Sequence, residues 1–430
     1  MSSCLWQEFF CLRQFLFNGE LCLKHVSTNP FCGNMKIYLV RLKDPRGILM
    51  VKIINQDGNL NELKKTLASL DADERVKSIV ILACDKNGYK KEWVDDSLKV
   101  CRKPIIGGIF PQIVIDHSKL EKGFIAVGLN TPMVNEIIGN LSMKDIDLDE
   151  VLSDSFSKVD MNHKTMFVFV DGLSKGIASL NEAMFNNWGI LCNYVGGGAG
   201  SLSFVQGPCI FTNEGLLEDA AVLGLVDIKS GVGVAHGWKP ISEPLRVTEV
   251  DRNKIISINW EPAFDVYQNI VETSSGKSFK EMDFFELAKG YPLGISVLAD
   301  EVIVRDPISE DNGTLTCVGE IPQGSNVRIL TGSESSLLAG AELASEKAKI
   351  SYLEENTTMD KKDFITLFID CISRVLYLDD RFYKELECVN DGHELIGILS
   401  LGEIANTGKA YLEFYNKTSV VALLEKKYED

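Results

Sequence analysis

Residues 165–202 read TMFVFVDGLSKGIASLNEAMFNNWGILCNYVGGGAGSL, and this stretch decides the fold. Residues 165–170 have the apolar, β-branched run of a buried strand, Asp171–Ser174 break it, and Ile177, Leu180, Ala183, Met184 and Trp188 then recur at helical spacing. A glycine run at 196–200 follows. Consecutive glycines let backbone N–H groups approach an anion without a Cβ in the way, so Gly197 and Gly198 are candidate ligand contacts; a tight turn beside a close-packed strand explains them equally well. Neither a dinucleotide fingerprint nor a Walker loop is present, which argues against nucleotide binding.

Working outward, residues 35–157 alternate short apolar runs (KSIVILAC, KPIIGGIF, KGFIAVGL) with helical stretches, the cadence of βα units. Downstream, CIFTNEG, AAVLGLVD and SGVGVAHGWKP give strand signals that point to a mixed sheet. A polar helical stretch at 265–286 marks a domain boundary. Beyond it come a meander with turns at Asn312-Gly313 and Pro322–Gly324, a helix over 335–353, strands in FITLFIDCIS and LIGILSLGE, and a closing strand SVVALL. No internal repeat is visible. The expected fold is mixed α/β in two domains, 35–265 and 266–430, each with a mixed sheet packed by helices. Residues 1–34 read as an uncertain extension before a start at Met35, or else as a short amphipathic partner-binding arm.

With 45% hydrophobic residues the chain can bury a large core, and a net charge of −17 without runs of Lys or Arg argues against nucleic acid. No apolar run reaches membrane-spanning length. Eleven cysteines with no CxxC pair favour buried thiols in a reducing compartment, read here as the cytoplasm.

Four further clusters are candidates for chemistry. His236 and Trp238 stand together in AHGWKP, where the imidazole is either a ligand contact, a haem ligand or a satisfied core histidine. Arg305 ends the apolar run EVIV and can anchor an acidic ligand, or pair with Asp306 or Glu301. Cys371 lies between Asp370 and Arg374, whose guanidinium could make the thiol reactive; an inert or ligand-lining thiol is the alternative, and no adjacent histidine completes a catalytic pair. Glu403 and Asn416 flank the last hairpin, where they cap turns or line a pocket shared with Arg305.

Taken in order, DGLS (171–174), VGGGAGS (195–201), EGLLEDAAVLGL (214–225), AHGWKP (235–240), YPLGI (291–295), VIVRDP (302–307), GEIPQGSNVRIL (319–330), FIDCISR (368–374), LGEI (401–404) and YNKTSVVALL (415–424) resemble the FIST family. Its members pair an N-terminal with a C-terminal FIST domain. The region before Ser157 matches loosely, and PIIGGIFPQIVI (104–115) lacks the threonine-bearing turn of similar proteins. The resemblance implies a non-enzymatic, stand-alone intracellular sensor that binds an amino acid or similar metabolite and reports to a separate signalling protein. The implied pocket draws on both domains, with Arg305, Arg374 and Glu403 as polar anchors and His236 and Trp238 at its wall. Haem-based nitric oxide sensing and protein–protein adaptor roles are the family's other implied functions.

Overall fold

The computed structural model describes residues 50–143, 145–296, 302–356, 359, 363–390, 392, 394–406 and 411–426, preceded by the backbone of two short strands at 15–17 and 20–22. Apart from those strands, the segment 1–34 lies outside the described residues, as do Met35 and Glu301.

The run at 165–170 forms the strand Thr165–Asp171, the periodic segment forms the helix Ile177–Trp188, and Asn193–Ala199 returns parallel to the first strand. The same strand–helix–strand unit occurs twice more. Ser78–Cys84, Lys91–Lys99 and Ile105–Phe110 form one. Phe364–Cys371, two short helices and Glu394–Ser400 form the other. In each unit a later strand pairs antiparallel with the first: Phe124–Leu129, Ala220–Val226 and Ser419–Glu425 respectively. In chain order these are the first (78–129), second (165–226) and third (364–425) units.

Each unit also lends a hairpin to a neighbour. After its second strand, the first unit sends Gln112–Ile115 onto Glu394–Ser400 of the third. The second sends Ile210–Thr212 onto Ile105–Phe110 of the first, and the third sends Glu403–Asn406 onto Asn193–Ala199 of the second. Three six-stranded mixed sheets are thereby interlocked in a ring. The internal repeat missed in the sequence is therefore structural. Its most visible trace is a glycine: Gly107, Gly196 and Gly397 sit opposite Ile81, Val168 and Phe368, and a Cβ at each would lie 1.9, 1.7 and 2.2 Å from that partner's carbonyl oxygen. Only glycine allows the two strands to approach so closely.

This corrects the reading of the glycine run, which is an interior strand and not a loop. Gly198 donates its N–H to Gly402 O (2.8 Å) and accepts from Leu401 N (2.9 Å). A Cβ on Gly197 or Gly198 would stand 2.8 Å from Gly402 O or 2.7 Å from Leu401 O. Both glycines make room for the third unit's chain.

Ahead of the third unit, between Ser230–Ala235, which pairs with its Ser419–Glu425, and the long helix Glu334–Glu355, the chain carries an inserted barrel. Asn326–Thr331 pairs with both Leu245–Asp251 and Leu293–Ser296, closing a ring that also contains Lys254–Ile258, Thr314–Val318 and Val302–Asp311. The helix Ala263–Ser275 packs against it through buried Tyr267 and Val271. The expected mixed α/β architecture is thus present, but strands from both sides of residue 265 share sheets. Among the described residues no helix is long and apolar enough to cross a membrane.

Candidate functional site

A cavity of about 550 Å³ opens where the third unit's hairpin enters the second unit's sheet, a volume in the range of small-ligand pockets. Its walls come from the turn at 172–178, the barrel rim near 252 and 305–320, the start of the helix Ile372–Leu378, and the hairpin ends at 401–402 and 413–416. Leu173, Ile308, Val318, Leu376 and Phe414 make most of it apolar, and Lys175, Arg252, Lys254, Arg305, Asp306 and Asn416 are among its polar lining.

Asn416 is the most informative of them. It is 1% exposed, lines the cavity, and neither its Nδ2 nor its Oδ1 has a hydrogen-bond partner among the described residues. Burying an amide unpaired costs about 1–3 kcal/mol, so such a group calls for an explanation. Beside it in the wall, Asp306 turns Oδ2 to Lys417 Nζ at 3.1 Å while Oδ1 has no partner among the described residues. Burial pushes the Asp306 carboxyl up, with the Lys417 charge and the Ser373 hydroxyl pulling the other way. Lys417 is itself fully buried, and its ammonium also donates to Lys289 O at 2.9 Å.

Arg305 does line the cavity, but its donors are largely spent. Nε donates to Glu320 O (3.0 Å), Nη1 to Val304 O (3.2 Å) and Phe414 O (2.8 Å), and Nη2 to Glu413 Oε1 (3.2 Å). Among the described residues the acid Arg305 pairs with is Glu413, while Asp306 is held by Lys417; Glu301 lies outside the described residues. Cys371 is also in the wall, with Sγ 3.1 Å from Ser373 Oγ. Burial raises its pKa strongly and the nearby Glu403 charge adds to this, so it is a thiol and not the activated thiolate that a neighbouring arginine suggested.

Arg374 and Glu403 lie beneath the wall, not in it. Arg374 is fully buried and donates to Glu385 Oε1 (3.0 Å from Nε), His236 O (2.6 Å) and Leu337 O (3.1 Å), with Asp370 Oδ1 3.1 Å from Nε. Glu403 accepts from Ser400 Oγ (2.9 Å) and Thr418 N (3.3 Å). Burial, then the charge of Asp370, pushes its carboxyl well up; Asp370 is raised by burial and by Glu385.

His236 and Trp238 line a second cavity of about 480 Å³. Trp238 N donates to His236 Nδ1 (2.9 Å), and the ring also bonds to the Val302 backbone, so the two bonds engage the imidazole as a neutral structural group. Burial and the positive Arg374 and Lys347 lower its pKa to about 4. This arrangement does not fit an axial haem ligand. The Trp238 indole donates to Lys417 O at 3.0 Å and so props the residue that holds Asp306. Among the described residues no group of His, Cys, Asp and Glu is placed to hold a metal.

The ring of units gives an internal reference for these placements. Strand register makes Asp370 equivalent to Val170 and Ala83, and Glu403 equivalent to Ile210 and Ile113. Two buried carboxyls thus occupy positions that are apolar in the other units. Polarity has been concentrated at one of three equivalent junctions. Nothing in a linear reading reveals this, since the equivalence appears only once the sheets are paired. Lys417, Ser373 and Asp306 were visible only as neighbours of other candidates.

The fold and cavity define a class: a mixed α/β protein of interlocked units with a partly open cavity lined by residues of its N-terminal and C-terminal halves. Residues 79–261 match the FIST N domain and residues 263–406 the FIST C domain, and the chain belongs to the FIST family. FIST domains are regarded as small-ligand sensing domains of signal transduction. No curated protein matches the chain.

Proposed function

We propose that this protein is a non-enzymatic sensor whose small ligand occupies the 550 Å³ cavity and whose occupancy is read by a separate signalling protein. The carrying observation is Asn416, a buried amide with both hydrogen-bonding atoms unpaired on a cavity wall. A ligand there touches the second unit's turn, the barrel rim and the third unit's hairpin together. Its binding therefore favours one arrangement of the two halves, a population shift that a partner can recognise. Among the described residues no histidine lines this cavity, and burial holds Cys371 as a thiol, which supports binding over nucleophilic chemistry. The seven described cysteines are unpaired, in keeping with a cytoplasmic setting.

Native mass spectrometry of gently purified protein, set against its denatured mass, tests the reading. A retained small molecule that is lost from Asn416→Leu is expected. A bare mass in both proteins, with no thermal stabilisation of the wild type by a metabolite extract, would remove the sensor function.

A further inference from the structure

The second cavity, of about 480 Å³, is also of small-ligand size and has no part in the sensor reading above. We infer that it is a second binding site, for a small organic carboxylate with a compact apolar body. The inference does not depend on what occupies the first cavity.

Charge sets this cavity apart from the rest of the molecule. The chain carries a net charge of −17, yet the lining holds Lys239 and Lys347 and neither an aspartate nor a glutamate. Both lysines are exposed, and among the described residues neither has an ion-pair partner. Lys347 comes from the helix Glu334–Glu355, and its Nζ donates to Val234 O at 3.1 Å. Val234 itself lines the cavity, so this bond holds the ammonium against the wall and leaves two of its N–H groups to give. Lys239 stands in the short strand Lys239–Pro240, at the edge of the barrel. The one histidine of the lining, His236, is neutral near pH 7 and supplies no countercharge. A carboxylate entering here meets two ammonium groups without a competing acid, an ammonium ligand is repelled, and a neutral head group gains little from either lysine.

The remaining wall fixes the body of the ligand. Ala339 and Leu343 are exposed, Val302 and Tyr411 are half-buried, and together they offer an apolar surface that a ligand can cover. Leu343 alone keeps 45% of its surface exposed. The first cavity makes the contrast: its four cationic lining residues are accompanied by four acidic ones, so neither sign prevails there. The two cavities share no lining residue, and a single segment divides them, with Asn416 lining the first and Tyr415 and Thr418 the second.

The test compares three matched probes on the full-length protein by calorimetry: 4-phenylbutanoate, 4-phenylbutanamide and 4-phenylbutylamine. The acid is expected to bind about tenfold more tightly than the amide, with the amine weakest. The double variant Lys239→Glu/Lys347→Glu, at two exposed positions, should weaken the acid about tenfold or more and leave the amide within about twofold. The matching reversal in the first cavity, Arg252→Glu/Lys254→Glu, should leave the acid within about twofold of wild type. Loss of acid binding in the first-cavity variant, with retention in the second-cavity one, would place the anion elsewhere and overturn the inference. Equal affinity for acid and amide, or no binding of the acid by the wild type, overturns it as well. The ranking in the wild type needs no variant, so a misfolded double variant would not shelter the inference. The mass measurement with Asn416→Leu decides the first cavity separately.

Discussion

Two positions of the ring invite comparison: the turn after the second unit's strand Thr165–Asp171 and the corresponding turn after the third unit's strand Phe364–Cys371. Both precede a helix, and both are met by a returning chain with a left-handed residue, Asp219 (φ 50°) or Lys417 (φ 52°), at the same register. In the second unit the polar groups close on one another. Asp219 accepts from Ser142 and Ser174 hydroxyls at 2.6 and 2.7 Å, and Asp171 uses both oxygens. In the third unit polarity is divided between two levels. The lower one, around Arg374, is fully buried, and although Asp370 Oδ2 and Glu385 Oε2 lack partners among the described residues, neither residue lines either of the two cavities described above. The upper one, at Asn416 and Asp306, has atoms unpaired among the described residues, and both residues line the 550 Å³ cavity. The lesson is that an unsatisfied group signals binding only where space adjoins it.

The largest effect that would test this division is at the lower level. Arg374→Ala leaves Asp370 and Glu385 buried without their cation and should cost about 3–5 kcal/mol, measured by denaturant unfolding. A loss below about 1 kcal/mol would show that the lower level is not structural and would break the comparison. Gly198→Ala should cost about 1–3 kcal/mol, because its Cβ meets the Leu401 carbonyl oxygen at 2.7 Å and forces the hairpin of the third unit away from the second. A thermal midpoint equal to wild type would mean the junction has slack. The smallest effect, on the order of 1 kcal/mol for one buried hydrogen-bonding group, is expected from Glu403→Gln. Its sign depends on pH. A carboxyl raised in the fold contributes stability that is complete below its ordinary value of 4.5 and is lost as pH rises through the folded pKa. The wild type should therefore lose stability relative to Glu403→Gln as pH is raised from about 4.5 toward neutrality; parallel pH profiles would refute the elevated pKa.

Much of the local structure was legible. Alternation of apolar runs with 3.6-residue periodicity located Thr165–Asp171, Ile177–Trp188, Phe364–Cys371 and Ser419–Glu425, and Asn312-Gly313 gave its turn. The glycine run was misread because glycine disfavours strands in general, and here its use depends on a carbonyl from a partner more than 200 residues away. The threefold ring was hidden because three units share little beyond one glycine each and a barrel is inserted in the chain ahead of the third. Of the site, Arg305, Cys371 and Asn416 do line the cavity, whereas Arg374, Glu403, Gly197 and Gly198 do not, and His236 and Trp238 line the other one. Side-chain type revealed which residues can make polar contacts. Whether those contacts are already spent on backbone carbonyls such as Glu320 O and Phe414 O is a property of the assembled structure alone.

The lending of hairpins has a consequence for how the chain is made. As the ribosome releases it from the N-terminus, Gln112–Ile115 has no sheet to join until Glu394–Ser400 has been synthesised, and the outer edge of Asn193–Ala199 stays bare until Glu403–Asn406 arrives. The nascent protein thus carries open strand edges for most of its synthesis, the condition in which chains pair wrongly with their neighbours. A chaperone that shields those edges would have to remain until the last few dozen residues emerge, and a message cut short in that region would yield exposed edges in place of a smaller working protein.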